Sequence, residues 1–331
     1  MAMRRSISSG WAWAVGLGVG AACAALAACL PGDTRPEPGS LLVTAARSDA
    51  TASGFSTADG WTVQFDRFAT ALGDIRLDTP EDVEGESCNA YYETHYEWLF
   101  DFESAQSEKV GLVYGLGTCE LSYRFRGPSS DVVLGAGATQ SEADTMSIDA
   151  TDAYADTSPV TLWVRGTATR GALRKSFDWQ FRRSFRVDRC RATTGSGYVS
   201  VLTLGGGDTL SLGISVLGEE LFRRGDDDAA PLQFDLYAAA DQNEDGDVSL
   251  PELGLVDAPA DLMRDGTGGG ASVGGGGAGG GGGAGGGGGA GGGDGESEPI
   301  VTLADLLYIE LLPRVTRLEG GGPCDAQVRG R

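Results

Sequence analysis

The chain has 331 residues, which is long enough for two domains with a sizeable core. Its formal net charge is −22 at pH 7, and such an acidic surface repels phosphate backbones, so nucleic acid is a poor partner. The single histidine, His95, excludes metal sites built from several histidines and makes most catalytic triads hard to assemble.

Residues 1–28 have the order of an export signal. Two arginines at 4–5 precede an apolar stretch at 11–26, which is too short and too rich in glycine for a good membrane span. The stretch ends in Leu-Ala-Ala-Cys at 26–29, which resembles the lipobox of bacterial lipoproteins. The resemblance implies that Cys29 carries acyl chains, such as palmitate, and becomes the new N-terminus after cleavage. An ordinary secretory signal with Cys29 at its boundary is the alternative.

Residues 29–40 are rich in proline, glycine and charge, which is typical of a flexible tether. Several acyl chains on one cysteine would anchor the protein stably in a membrane. Leu30 rather than aspartate follows Cys29, and in the lipoproteins that the chain resembles this favours the outer membrane. The arginine pair also suggests twin-arginine export, but the rest of that motif is missing, so the general export route is favoured. We therefore expect a lipid-anchored protein of the cell envelope.

The middle region, residues 41–225, alternates apolar and polar side chains with a period of two. In 177–187, for example, Phe177, Trp179 and Phe181 share one face while polar residues occupy the other. Many short strands separated by Gly, Pro, Ser and Asp clusters predict a mainly β domain, an antiparallel sandwich or barrel. We interpret the aromatic residues as its core, with a sugar-binding platform as the alternative.

Besides Cys23 in the leader and Cys29 at its end, the chain has four cysteines, namely Cys88, Cys119, Cys190 and Cys324. An even set in an exported protein predicts two disulfides, and a zinc site would normally bring closer spacing or histidines. Three connectivities are open. We prefer one bridge within the middle domain, Cys88–Cys119, and one that fastens the tail, Cys190–Cys324.

Catalytic signatures are not found in the sequence. Ser196 and Ser215 lie near glycines but miss the spacing of a nucleophile elbow, and no second histidine is present to serve as a base. No pair of carboxylates stands out from the acidic background. We predict a protein that is not an enzyme, and a hydrolase stays open as an alternative.

Residues 241–252 match every position of the EF-hand calcium loop. Gly246 falls at position 6, where the chain must turn with a positive φ, and Val248 falls at the apolar position 8. Carboxylate, amide and carbonyl oxygens are the ligands that Ca²⁺, the expected cofactor, requires. The candidate ligands are Asp241, Asn243, Asp245, the backbone carbonyl of Asp247, Ser249 and Glu252.

The loop departs from the EF-hand pattern in its surroundings. Leu232, Leu236 and Ala240 are near helical spacing and predict an entering helix, but the exiting helix meets Gly254 early. EF-hands usually pair, and no second complete loop is found. A lone loop would bind calcium with a Kd of roughly 10⁻⁴–10⁻³ M, so we expect a structural ion. Dockerin repeats have a similar loop, and a dockerin-like interaction module is a minor alternative.

The last third of the chain contains a tract of almost pure glycine at 268–293. Such a segment cannot bury enough surface to order itself, so we expect residues 266–295 to be a disordered linker. Beyond it, Thr302 and Asp305 have the spacing of a capping box that opens an apolar helix. We expect this helix to pack against the helices of the calcium loop.

The sequence thus predicts a two-part lipoprotein, with a β domain at 41–225 and an EF-hand-like helical segment at 226–331 interrupted by the linker. Its expected role is that of a non-catalytic envelope protein that binds calcium and is held to a membrane by lipid. The alternative is a cell-surface protein in which calcium supports the binding of carbohydrate or another small ligand. The sequence does not identify a protein or carbohydrate partner.

Overall fold

The computed structural model describes residues 36–81, 87–91, 96–152, 155–193, 197–225, 228–263 and 298–328. The leader with Cys29, the single histidine His95, and the glycine-rich linker lie outside the described residues, so the expectations for them stay predictions. The chain divides into two compact units, Met1–Glu37 and Pro38–Arg331, and the strands and helices of the described residues belong to the second unit.

Strands dominate the described residues, which confirms the mainly β fold. The strands are β1 Gly39–Arg47, β2 Phe55–Ser56, β3 Thr62–Asp78, β4 Cys88–Tyr91, β5 Glu97–Asp101, β6 Ser107–Arg126, β7 Val133–Leu134, β8 Ala150–Asp152, β9 Ala155–Ser158, β10 Leu162–Arg170, β11 Leu173–Phe181, β12 Phe185–Asp188, β13 Val201–Leu204, β14 Thr209–Val216, β15 Asp247–Val248, β16 Thr316–Leu318 and β17 Asp325–Val328.

Most of these strands join one curled sheet that forms half a barrel. Its main path runs β15-β11-β10-β3-β6-β1-β14-β16, and β8 and β9 form a separate pair. The long strand β6 holds the sheet together, because successive parts of it pair with β1, β3, β4, β12 and β13. Most neighbours are antiparallel, while β1–β14, β5–β7 and β11–β15 are parallel.

The aromatic side chains form the core, as predicted. Phe177, Trp179 and Phe181 alternate along β11 and are almost completely buried, and Trp61 and Phe222 join them from elsewhere in the chain. Their rings contact one another with centroids about 5 to 6 Å apart, which is the range of favourable aromatic pairs. These rings are therefore inside the protein and are not available as a platform for sugars.

Helices are short in the described part of the chain. They are α1 Asp49–Ser53, α2 Gln140–Met146, α3 Asp235–Ala238, α4 Leu250–Leu253 and α5 Leu303–Asp305, with a 3₁₀ helix at Gly218–Phe222; α5 continues as a π turn, Leu306–Leu311, and a 3₁₀ turn, Leu312–Val315. The predicted capping box opens α5, since Asp305 N donates to Thr302 Oγ1 at 3.1 Å and Thr302 N donates to the Asp305 carboxylate at 2.7 Å. No helix among the described residues has the length and apolar character needed to cross a membrane.

The hydrophobic core crosses the predicted domain boundary at residue 225. Leu253 and Leu307, from the C-terminal segment, belong to the same buried cluster as Val43 and Trp179 from the β region. α4 and α5 also contact each other, as expected for the apolar helix and the calcium-loop helices. The described C-terminal residues therefore pack as part of the β structure's own core.

Both preferred disulfides are confirmed. Cys88–Cys119 joins β4 to β6. Cys190–Cys324 joins the segment just after β12 to the residue just before β17. The second bridge closes a loop of more than one hundred residues, which in the chain-entropy account removes several kcal/mol of freedom from the unfolded state. It fastens the C-terminal end of the chain to the sheet.

Candidate metal site in the loop 241–252

The candidate loop follows the one-turn helix α3, ends within the one-turn helix α4 and is attached to the sheet. β15 in the loop pairs with β11, with Val248 opposite Phe177. The Val248 side chain is buried, as predicted for position 8, and its carbonyl oxygen accepts a 2.7 Å hydrogen bond from Trp179 Nε1. The core of the sheet therefore holds the middle of the loop in place.

The entering helix is shorter than its sequence suggested. A helix from Leu232 was expected, but α3 begins only at Asp235. The reason is that Leu232 forms a β-bridge with Arg223, and Gln233 N donates to Phe222 O at 2.7 Å. These contacts hold the preceding backbone extended, so that only one helical turn forms before the loop.

The first half of the loop folds onto its own backbone. Asn243 Oδ1 accepts from Asp245 N at 2.9 Å, and Asp245 Oδ1 accepts from Asp247 N at 2.8 Å. Gly246 has φ +90°, the left-handed conformation expected at position 6. The side chains at positions 1, 3 and 5 are therefore drawn together on one tight turn.

Asp241, at position 1, is the most deeply buried of the candidate ligands. Its Oδ2 accepts from Gly246 N at 3.0 Å and from the ammonium group of Lys175 on β11. The hydrogen bond from Lys175 is the main reason that the pKa of Asp241 lies below its usual range, although burial opposes it. Its other oxygen, Oδ1, is buried and has no hydrogen-bond partner among the described residues.

Ser249 and Glu252, at positions 9 and 12, contact each other instead of the turn. Glu252 Oε2 accepts from Ser249 N at 2.9 Å and from Ser249 Oγ at 2.8 Å, which makes a capping box at the start of α4. The spacing Ser-x-x-Glu was a readable signal for this cap, but the calcium pattern covers the same residues. Glu252 therefore caps the start of α4, in addition to its expected role as a calcium ligand.

The loop meets the donor requirements of a hard cation in part. An enclosed carboxylate oxygen without a partner is the kind of group that a metal ion satisfies, and it lies at the position where the loop's first ligand belongs. Among the described residues, however, no three His, Cys, Asp or Glu side chains converge closely enough to hold a metal ion. In this arrangement Lys175 supplies the positive charge beside Asp241.

Lys175 belongs to the site, although it lies far from the loop in the sequence and matches no part of the calcium pattern. It occupies the same face of β11 as Phe177 and Trp179, because residues two apart share a face of a strand. The signal in the sequence was a lysine at a position of β11 where the alternation predicts an apolar residue. Its partner could not be identified from the sequence, since Asp241 lies 66 residues away.

Comparisons with known proteins found no match for this chain among protein-family models, curated proteins or solved structures. The chain's own residues therefore carry the evidence for its function. The most specific pattern among them is the loop 241–252.

Proposed function

We propose that the protein is a lipoprotein of the bacterial cell envelope that binds one structural calcium ion in the loop 241–252. The observation that carries the proposal is the buried Oδ1 of Asp241, which lacks a partner in a loop whose residues match the calcium pattern at every position. We propose a non-catalytic role, since the chain's readable chemistry is that of metal and membrane binding.

The residues that would hold the ion are those of the first turn and the start of α4. In the turn, the ligands would be side-chain oxygens of Asp241, Asn243 and Asp245. At the other end of the loop they would be Ser249 and Glu252, and the backbone carbonyl of Asp247 would complete the set. A bound calcium ion would neutralise the loop carboxylates in place of the Lys175 ammonium group. Because β15 pairs with β11, ordering the loop would also strengthen its attachment to the sheet.

The membrane anchor is proposed from Cys29 and its surroundings. The small residues before Cys29 allow a peptidase to reach the bond, and the tether after it leaves the folded unit free of the bilayer. Two disulfides in the folded unit agree with export, since disulfides persist in oxidising compartments such as the periplasm or cell surface. We propose the outer membrane as its location, because Leu30 follows Cys29.

Calorimetry of the full chain in detergent tests the calcium proposal. The wild type should bind about one Ca²⁺ with a Kd of roughly 10⁻⁴–10⁻³ M. Glu252→Gln keeps an acceptor for the capping box but removes the charge, so we expect at least about tenfold weaker binding. Glu108→Gln, the same change on β6, should bind as the wild type does. Absence of binding by the wild type, or equal binding by Glu252→Gln, would overturn the proposal.

Labelling with a palmitate analogue in a bacterial host tests the anchor. The wild type should incorporate the label and sediment with membranes, whereas Cys29→Ser should do neither. Cys23→Ser, a matched change within the leader, should leave labelling intact. Equal labelling of wild type and Cys29→Ser would contradict the anchor and leave the calcium proposal untouched.

A second candidate function is the binding of a small ligand at the cell surface with support from calcium. The buried aromatic core offers no support for a sugar platform. An arginine-lined cavity on the sheet does favour a small ligand of another kind.

A further inference from the structure

A cavity of about 310 Å³ opens where β6, β12 and the segment before β10 meet. Its cationic wall consists of Arg124, Arg126 and Arg186, and its apolar wall includes Pro128 and Phe185. None of the described residues that line it is acidic. The lining thus presents positive charge in a chain with a net charge of −22, and this favours an anion as the ligand.

Strand register explains why the arginines gather there. β12 pairs with β6 so that Arg186 lies opposite Arg124, and the flanking pair is Phe185 with Phe125. Since neighbouring residues of a strand point to opposite faces and Phe125 is in the core, Arg124 and Arg126 lie on the other face. The pairing thus places the three arginine side chains on the face of the sheet opposite the aromatic core, with Arg124 itself buried.

Two buried carboxylates behind the cavity hold the arginines in position. Asp74 Oδ2 lies 2.7 Å from Arg124 Nε and 3.3 Å from Arg186 Nη2. Glu97 makes a bidentate pair with Arg126, at 2.8 and 3.0 Å. The bidentate pair fixes the guanidinium plane of Arg126, and Asp74 keeps Arg124 and Arg186 nearby. Pre-positioned guanidinium groups suit carboxylate or phosphate oxygens.

The position of Asp74 depends on a β-bulge. The pairing of β3 with β6 shifts register between Gly73 and Arg76, and Asp74 within this bulge has φ +48°. Such a backbone conformation is uncommon outside glycine and asparagine or aspartate, and bulges often redirect a side chain next to a functional site. The bulge directs the Asp74 carboxylate onto the arginines.

We propose that this cavity binds a small organic anion, with a carboxylate or phosphate head on the arginines and an apolar body against Pro128, Pro159 and Phe185. The volume lies at the lower end of the range for ligand pockets, so the ligand is compact. The proposal is independent of calcium, because no residue of the loop 241–252 lines the cavity.

Calorimetry of the full chain with three probes tests the proposal, in calcium-free buffer without a soluble chelator and at physiological ionic strength. Phenyl phosphate combines both recognition elements and should bind with a Kd of about 1 mM or better. Inorganic phosphate lacks the apolar body and should bind at least about tenfold more weakly. Benzamidine, an aromatic cation, should not bind. Absence of phenyl phosphate binding at about 10 mM, or equal binding of benzamidine, would overturn the proposal.

Variants then locate the binding. Ser184→Glu adds a carboxylate to the cavity lining and should weaken phenyl phosphate binding at least about tenfold. Ser107→Glu makes the same change on an exposed part of β6 and should leave binding unchanged. If Ser184→Glu does not fold, the double variant Arg126→Gln with Glu97→Gln serves instead, because removing both partners of the ion pair leaves no unpaired buried charge. Wild-type affinity in a folded cavity variant would overturn the proposal.

Discussion

The calcium loop and the arginine cavity are assembled in different ways. All candidate ligands of the loop lie within twelve consecutive residues, whereas the cavity brings together Asp74 and Arg186, which are 112 positions apart. The loop's side chains bond its own backbone, while the cavity's side chains bond one another across strands. A local site is therefore readable in a sequence, and a site built by strand register becomes visible only in the fold.

The largest effect is expected from breaking the long-range network at Asp74. Asp74→Asn retains a residue that tolerates φ +48° but leaves the neighbouring guanidinium groups without their carboxylate. Removing one partner of a buried ion pair costs about 3 kcal/mol or more, which urea denaturation would measure. Asp66→Asn, on the exposed face of β3, should change stability by less than about 0.5 kcal/mol. Equal stability of the two variants would show that the network is not needed for the fold.

The calcium affinity of the loop should change most when the Lys175 ammonium group, which competes with calcium for Asp241, is removed. Lys175→Met removes the ammonium group beside Asp241, so calcium should bind about tenfold more tightly, as measured by calorimetry. Without calcium the same variant should be less stable than the wild type, since the buried carboxylate loses its partner. Lys109→Met, an exposed lysine on β6, serves as the control. Unchanged affinity in Lys175→Met would contradict the account of how the loop is neutralised.

The pKa of Asp241 in the loop is lowered, whereas the pKa of Asp188, opposite the C-terminal strand β17, is raised. Burial, together with Glu120 and Asp325, raises the pKa of Asp188 to about 6, and Asp325 lies directly opposite it on β17. Because the folded state holds this proton more tightly than the unfolded state, stability falls as pH rises from about 4 to 6. Asp241, whose pKa is lowered, contributes stability that is lost as pH falls.

Asp188→Asn should therefore remove the decrease in stability between pH 4 and 6. At pH 7 the variant should be more stable than the wild type by about 1 kcal/mol, since solvent screens part of the maximum of about 3 kcal/mol that the shift represents. Thermal melting at a series of pH values would measure this. A parallel pH profile for wild type and variant would contradict the prediction, and Asp66→Asn provides the matched control.

The smallest effects should come from the two helix caps, which compare the loop with a site outside it. Ser249→Ala and Thr302→Ala each remove a capping hydroxyl and should each cost about 1 kcal/mol of stability. Only Ser249→Ala should also weaken calcium binding, by about two- to threefold, because Ser249 is a candidate ligand. Equal calcium affinity in both variants would remove Ser249 from the ligand set.

The sequence predicted local features of the structure better than features that depend on which strands become neighbours. Alternation along β11 predicted its buried face, and the capping box at Thr302 predicted the start of α5, since both depend on near neighbours. The positive φ of Gly246 was predicted for the same reason. Local signals of this kind depend on backbone geometry and need no knowledge of the fold.

Long-range features were predicted less well. The entering helix was expected to be longer because the bridge between Leu232 and Arg223 is not visible in a periodicity. The partner of Lys175 and the bulge that positions Asp74 both depend on which strands become neighbours. The disulfides are the exception, since four cysteines allow only three pairings and the preferred one is found.

Anomalous diffraction from crystals of the protein grown with calcium tests whether the loop holds the ion. We expect one peak in the loop, about 2.3–2.6 Å from oxygens of Asp241, Asn243, Asp245 and Glu252, with the Lys175 ammonium group moved away from Asp241. A map at saturating calcium with no peak in the loop, and with Lys175 still paired to Asp241, would contradict it.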